Sequence, residues 1–165
     1  MAPPADDLPT QSLQERFFPE GRCFGCGPAN EKGLRIRSFE TAPAADAEVV
    51  CDWTPERHHE AAAGLLNGGI AGALMDCHGN WTAAHHLMRR DGLDRPPTTV
   101  TGDFHVRLKK PTPSDRPLRI SARAVSSEGR KVKVAVEISA GGEVTATCDA
   151  IYLAVKADHL AAGRW

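Results

Sequence analysis

The chain has 165 residues, of which 41% are hydrophobic and 25% are charged, and its formal net charge is -1. This composition is typical of one globular domain that buries a core without disulfide or metal support, and the balanced charge argues against a nucleic-acid-binding protein. No stretch approaches the roughly 18 apolar residues of a membrane helix, and the acidic, proline-rich start differs from a secretory signal, so we expect a cytoplasmic protein without membrane association.

The first part of the chain carries few apolar residues and many turn formers. Residues 1–21 are predicted to form a mobile N-terminal arm with one helical turn near 12–17. A turn-rich segment at 22–33 opens the predicted domain, which we place at 22–157, ahead of a C-terminal tail at 158–165. Two short strands are expected near 34–40 and 47–53.

The hydrophobic period then changes to that of a helix. From Gly69 to about Arg89 apolar residues recur at spacings of three and four, which predicts a helix of roughly 20 residues. Asn67 is the expected N-cap, and Gly92 closes the segment. The predicted core face comprises Ile70, Ala73, Leu74, Cys77, Trp81, Ala84 and Met88. His85 and His86, near the end of the helix, are expected to face solvent.

The remainder returns to period two. Strands are predicted at 100–108, 118–125, 131–138 and 144–155, with hairpin turns at 127–130 and at Gly141–Gly142. Two strands, one long helix and a four-strand antiparallel meander predict an α+β protein of the hotdog type, in which a curved antiparallel sheet of about six strands wraps around the helix. One helix leaves part of this sheet uncovered unless the sheet curls or a second subunit covers it.

A stripe of small residues follows one side of the predicted helix, comprising Gly69, Gly72, Asp76, Gly79 and Ala83. A glycine inside a helix costs about 1 kcal/mol relative to alanine, so we expect a backbone or a ligand to approach closely here. Asp76 is the one ionisable residue of the stripe. Tight packing with a solvated Asp76 is the alternative interpretation.

The start of this helix carries two consecutive glycines. Their backbone N–H groups point outward at the positive end of the helix dipole, an arrangement suited to an anion or to a carbonyl under attack. Asp76 lies two turns further on, roughly 10 Å along the axis, too far for one helix to place both groups on one carbonyl. The spacing therefore suggests a site shared between two subunits, with Gly68 of one near Asp76 of the other.

Three motifs resemble the PaaI-like branch of the 4-hydroxybenzoyl-CoA thioesterase superfamily, over about residues 22–156. They are His59 with Gly64-Leu65-Leu66-Asn67-Gly68-Gly69 and Leu74-Met75-Asp76, the segment Thr101–Leu108 with Pro111-Thr112-Pro113, and Cys23-Phe24-Gly25-Cys26-Gly27-Pro28. The resemblance implies a homodimer or homotetramer that hydrolyses an acyl-CoA thioester between subunits, with no cofactor apart from the coenzyme A of the substrate.

The resemblance also implies roles for individual residues. Asp76 acts as general base or as nucleophile, and the sequence leaves both open. The Gly68 amide, with Gly69, polarises the thioester carbonyl. Asn67 stands where several relatives carry His, and its amide cannot shuttle protons as an imidazole can. Thr101 positions the attacking water.

Residues around the predicted site have less specific roles. His59 is expected to line the acyl entrance, although a plain loop histidine is the alternative. Arg130 and Lys131 are candidate partners for the phosphates of coenzyme A, as are Arg107, Lys109 and Lys110, and solvated surface charge is the alternative for each.

The cysteines predict no metal site. Zinc needs four ligands, and no second cysteine or histidine pair stands at ligand spacing from Cys23 and Cys26. We therefore expect a turn with buried thiols there, and place Cys77 in the core.

Two rival functions remain at the sequence level. One is a non-catalytic acyl-CoA-binding protein, which would bind its ligand without turnover. The other is a hotdog dehydratase, which needs a histidine paired with a carboxylate and is disfavoured by Asn67.

Overall fold

The computed structural model describes residues 8–163, so residues 1–7 of the predicted arm and residues 164–165 of the predicted tail lie outside the described part. Its helices and strands are α1 (Leu13–Phe17), β1 (Phe39–Glu40), β2 (Val49–Trp53), β3 (Glu60–Ala62), β4 (Leu65–Leu66), α2 (Gly68–Arg90), β5 (Thr99–Leu108), β6 (Leu118–Glu128), β7 (Lys131–Ala140) and β8 (Glu143–Ala154). Within these residues no helix combines the length and the hydropathy that crossing a bilayer requires.

Six strands form one antiparallel sheet in the order β1-β2-β6-β7-β8-β5, and β3 pairs with β4 in a separate hairpin. The long helix α2 packs against β5, β6, β7 and β8. This arrangement confirms the predicted hotdog fold. Both predicted hairpin turns are present, with a positive φ at Gly129 and at the Gly141–Gly142 pair.

The first strand is much shorter than predicted. Residues 34–38 lie outside the sheet because the amides of Leu34 and Ile36 donate to the carbonyls of Phe24 and Gly25 in the preceding loop. The hairpin at 60–66, in contrast, has no counterpart among the predicted elements. The short β1 pairs with β2 at the edge of the sheet.

Helix α1 packs onto the domain. Ser12 caps it reciprocally with Glu15, and the side chain of Leu13 is buried in the main core. The predicted helical turn near 12–17 is thus present, and this part of the predicted arm is packed rather than free.

The buried face of α2 includes Leu74, Trp81, Ala84 and Met88, as predicted, and also Ala71, Met75, His78, Thr82 and His85. Ile70, Ala73 and Cys77 are half-buried at its border. The expectation that His85 faces solvent is wrong, because its ring is 1% exposed and bonds to the buried carboxylate of Glu40. Arg89 also donates to Glu40, at 2.7 Å, so a buried ionic network replaces apolar packing here. His86, predicted to face solvent as well, is half-buried and bonds the carbonyl of Ala45.

Candidate active site

An open cavity of about 430 Å³ lies between α2 and β5. Its lining consists of Gly68, Gly69, Gly72, Ala73, Asp76, Phe104 and Val106. Asp76 is the one ionisable residue among these, and the others are small or apolar. Gly69, Gly72 and Asp76 of the predicted stripe thus border one cavity, whereas Gly79 and Ala83 do not line it.

The carboxylate of Asp76 is held in a fixed orientation. The hydroxyl of Thr101 donates a 2.7 Å hydrogen bond to Oδ1 of Asp76. Burial raises the pKa of Asp76 above its ordinary value, and the bond from Thr101 partly opposes that rise because it stabilises the charged form. The hydroxyl of Tyr152 also lies close enough to the carboxylate to lower the pKa of Asp76.

Gly79 is explained by a side chain of the sheet rather than by a ligand. The hydroxyl of Tyr152 donates to the backbone carbonyl of Asp76 at 3.0 Å. A Cβ atom at Gly79 would lie 2.4 Å from that hydroxyl oxygen, so any side chain there would displace Tyr152. A Cβ at Gly72 would meet nothing closer than the ring of Phe104 at 3.9 Å, so Gly72 borders the cavity instead.

A β-bulge in β5 places Thr101 beside the helix. Thr101 pairs with Tyr152 and Asp103 pairs with Ile151, so Gly102 is the extra residue. Strict alternation puts Thr101 and Phe104 on opposite faces of the strand. The bulge shifts the alternation by one residue, and both side chains reach the cavity side.

The two glycine N–H groups at the start of α2 differ in whether they are hydrogen-bonded. The Gly69 N–H donates to Oδ1 of Asn67 at 2.8 Å, and the Ile70 N–H donates to the same oxygen at 3.3 Å. Asn67 is thus the N-cap, as predicted, and the Gly69 amide is already bonded. The Gly68 N–H has no acceptor within residues 8–163. Gly68 and Asp76 are eight positions apart, or about 12 Å along the helix.

His59 does not border the cavity. Its side chain is buried, its Nδ1 accepts from the backbone N–H of Glu56 at 2.9 Å, and its ring lies 4.9 Å from that of Trp53. Its backbone carbonyl accepts from the N–H of Asn67 at 2.9 Å. In this chain His59 therefore supports the N-cap residue, and its predicted contact with substrate has no support from its position.

The candidate phosphate-binding cations lie at two ends of the molecule. Arg130 is the last residue of the β6–β7 turn and Lys131 begins β7. At this turn Arg90, at the end of α2, donates to the carbonyl of Gly129 at 2.8 Å. Arg90 and Asp76 are fourteen positions apart, or about 21 Å along the helix. The guanidinium of Arg130 also donates to the carbonyl of Ala154 at 2.6 Å.

The other cations lie near the start of the helix. Lys109 and Lys110 border a second cavity of about 320 Å³, which also includes Gly68. Lys110 is paired with Glu143, and Arg107 is paired with Asp149. Lys109 is therefore the better candidate for binding a phosphate at this end, because Lys110 and Arg107 already form ion pairs.

The thiols are less buried than predicted. Cys26, Cys51 and Cys148 are buried, but Cys77 is half-buried and Cys23 is exposed. The structure also brings the sulfur of Cys77 to 3.7 Å from that of Cys23.

The fold is shared with solved structures of the thioesterase superfamily. No family model and no curated protein matches the sequence. A thioesterase superfamily protein from Shewanella loihica superposes with a TM-score of 0.61 at 23% identity, covering 78% of this chain and 97% of that one. A phenylacetic acid degradation-related protein from Ralstonia eutropha gives a TM-score of 0.64 at 18% identity, over 87% of this chain and 99% of that one.

A eukaryotic structure is similar as well. Zebra fish thioesterase superfamily member 2 gives a TM-score of 0.61 at 18% identity, with 77% of this chain and 90% of that chain covered. At these identities the likeness shows the fold alone. The chain therefore has the hotdog fold found in thioesterase-superfamily structures.

Proposed function

We propose that this protein hydrolyses an acyl-CoA thioester to the free acid and coenzyme A, as a PaaI-like thioesterase. The observation that carries the proposal is the carboxylate of Asp76. It is half-buried, bonded to Thr101 through one oxygen, and set in a cavity whose other walls are small or apolar. An apolar cavity with one raised-pKa carboxylate suits an acyl group whose carbonyl carbon meets a base or a nucleophile.

The chemistry requires a donor for the carbonyl oxygen as well. The N–H of Gly68 is suited to this because it has no acceptor in residues 8–163 and lies at the positive end of α2. It is about 12 Å from the Asp76 of its own chain. We therefore assign the Gly68 N–H and the Asp76 carboxylate of each active site to two different subunits. Gly69, whose N–H is bonded to Asn67, contributes space for the substrate rather than a donor.

The proposed reaction balances with water as the second reactant. Either Asp76 takes a proton from water while the water oxygen bonds to the carbonyl carbon, or Oδ2 attacks that carbon and water then cleaves the resulting anhydride. In the first route the C–S bond breaks as the thiolate leaves and takes up the proton that Asp76 removed from water. In the second route the thiolate leaves when the anhydride forms, and the water that later cleaves the anhydride supplies the proton that balances its charge. Asn67, occupied as the N-cap, takes no part in this proton transfer.

The edge strand β5 supports a dimer. It pairs with β8 on one side only, which leaves ten residues of edge backbone next to the cavity. Phe104 and Leu108 on this strand are 45% and 56% exposed. An uncovered edge with apolar side chains is a natural surface for a second copy, which would also close the cavity.

The first test measures thiol release from a panel of acyl-CoAs that vary in chain length and aromaticity. Asp76→Asn is expected to lower kcat by about 10²- to 10⁴-fold. Asp115→Asn, an exposed carboxylate elsewhere, is the matched control and keeps wild-type activity. Wild-type rates in Asp76→Ala contradict the mechanism, and tight acyl-CoA binding without turnover by the wild type contradicts the enzymatic assignment.

The second test addresses the shared site. Gly68→Pro removes the N–H, and the backbone of Asn67, at φ -64° and ψ 133°, already suits a residue that precedes proline. Gly68→Ala adds a similar Cβ but keeps the N–H, so it is the matched control. We expect a loss of about 10²- to 10³-fold in kcat for Gly68→Pro alone.

Mixed oligomers then distinguish a site shared between subunits from a site formed within one chain. An oligomer of Gly68→Pro and Asp76→Asn subunits contains one intact combination if the site is shared. Recovered activity in the mixture supports sharing, and no recovery in mixed oligomers contradicts it.

A further inference from the structure

Three cysteine sulfurs meet beside α2, on residues far apart in the chain. Cys23 and Cys26 come from the loop before β1, and Cys77 comes from the helix. The three sulfurs all lie within 4.8 Å of one another, and those of Cys23 and Cys77 are 3.7 Å apart.

This spacing matches that of ligands on a metal ion. Zinc–sulfur bonds are about 2.3 Å long, so two thiolates on a tetrahedral zinc ion are separated by about 3.8 Å. We propose that Cys23, Cys26 and Cys77 bind one thiophilic divalent metal ion of the zinc class, through three thiolates, with the fourth position open to water or a small ligand. The metal proposal does not rest on the proposed hydrolysis.

The loop is shaped to hold its two sulfurs against the helix. The N–H of Gly27 donates to the carbonyl of Cys23 at 2.9 Å, which closes a tight turn around the cysteine pair. A Cβ atom at Gly25 would lie 2.3 Å from the sulfur of Cys77. Glycine at position 25 therefore lets the turn approach Cys77, and the three ligands are positioned before any ion binds.

Cysteine binds a metal ion as the thiolate. Three thiolates whose sulfurs all lie within 4.8 Å of one another need a cation between them, and a divalent ion supplies it.

The remaining neighbours leave room for a fourth ligand. The indole N–H of Trp81 donates to the sulfur of Cys26 at 3.3 Å, in the position of an outer-shell partner. A cavity of about 250 Å³ adjoins all three cysteines and is also bordered by Arg22 and Asn80. No fourth Cys, His, Asp or Glu joins the cluster in residues 8–163, so the cavity is where an external ligand would enter.

The test uses the full-length protein, reduced and stripped of metal with a chelator. Titration with Co²⁺ is expected to produce thiolate-to-cobalt charge-transfer absorption that saturates at one ion per chain, and Zn²⁺ is expected to displace it. Cys77→Ser is expected to weaken Co²⁺ binding by more than the roughly 10- to 100-fold that losing an outer-shell partner costs. Cys148→Ser, a buried thiol outside the cluster, is the matched control and keeps stoichiometric binding.

Three outcomes overturn the proposal. One is wild-type protein that binds well below one ion per chain. The second is a Cys77→Ser variant that gives the wild-type cobalt spectrum and affinity. The third is a Cys23 disulfide, found by mass spectrometry of unreduced protein, that forms equally with and without Zn²⁺. None of these readouts involves thioester hydrolysis, so a failure here leaves the proposed function unaffected, and the reverse also holds.

Discussion

His78 makes the stability of the protein depend on pH in a way that its contacts define. Its ring is fully buried on the sheet side of α2, with Nδ1 2.8 Å from the hydroxyl of Ser38 and Nε2 3.0 Å from the carbonyl of Val49. The same hydroxyl accepts from the amide of Gln14 at 2.9 Å. Ser38 therefore donates to Nδ1, and Nε2 carries the proton that Val49 accepts. The neutral ring is fully bonded, and a second proton would break one of these bonds.

The magnitude follows from the pKa of this ring. Burial lowers the pKa of His78 from 6.5 to about 4. At pH 8 the ring is neutral in both states and its full contribution is present. As the pH falls from 6.5 towards 4, the unfolded chain binds a proton that the folded chain does not, and the free energy of unfolding decreases. The full loss is about 3 kcal/mol, of which about 2 kcal/mol is lost by pH 5.

The assay is urea unfolding of wild type and His78→Gln at a series of pH values between 8 and 5, with chelator and reductant present. Protein concentration is held constant because an oligomer adds a concentration-dependent term. His78→Gln is less stable at pH 8, but its free energy of unfolding should fall by about 2 kcal/mol less than that of wild type on going to pH 5. His159→Gln, an exposed histidine, is the control and should follow the wild-type curve. Parallel curves for wild type and His78→Gln refute the reasoning.

Two further predictions concern the candidate site. Thr101→Val removes the hydrogen bond that stabilises charged Asp76, so the pKa of this carboxyl rises and the acidic limb of kcat/KM moves to higher pH. Thr101→Ser should leave the midpoint pH of the acidic side of the profile at the wild-type value. If the midpoint for Thr101→Val lies at or below the wild-type midpoint, the role of Asp76 is contradicted. If Lys131 or Lys109 binds a coenzyme A phosphate, its change to Ala raises KM about tenfold for acyl-CoA but not for the same acyl group on N-acetylcysteamine. Lys32→Ala is the control, and an unchanged KM in both variants removes both lysines from the phosphate site.

The hydrophobic period alone predicts most of the fold. Helix α2 and the strands β5 to β8 are long, strongly periodic and bounded by glycine or proline, so their positions agree with prediction to within a few residues. Residues 34–38 are the exception. They have strand-like composition, but their backbone bonds to the loop at Phe24 and Gly25, a tertiary contact that no local pattern contains.

The predicted core face of α2 is confirmed at Leu74, Trp81, Ala84 and Met88 but lacks two buried polar residues. His78 and His85 lie on the inner face, where Ser38, Val49 and Glu40 supply their hydrogen bonds. A prediction based only on the spacing of apolar residues places both histidines on the outer face. It therefore centres the buried face closer to Ile70 and Cys77. Their partners come from the loop before β1, from β1 and from β2, so the buried polar pairs appear only when the chain is folded.

The cysteine cluster was missed for a related reason. Spacing rules detect ligands that are close in sequence, such as Cys23 and Cys26, and then look for a second close pair. Here the third sulfur is 54 residues away on a helix. The nearest local signal is the glycine between the two loop cysteines, since Gly25 is the residue that lets the turn touch Cys77.

Gly102 shows how one backbone irregularity determines the candidate site. In a regular strand a residue and its third neighbour face opposite sides, so Thr101 could not share a cavity with Phe104. The bulge at Gly102 removes that conflict, and a Cβ there would lie 2.6 Å from the side chain of Leu153 on β8. The strand thus carries the residue that orients Asp76 and an apolar wall of the cavity on the same side. Strict alternation along the strand places Thr101 on the outer face. Only the family resemblance predicts that Thr101 belongs to the site.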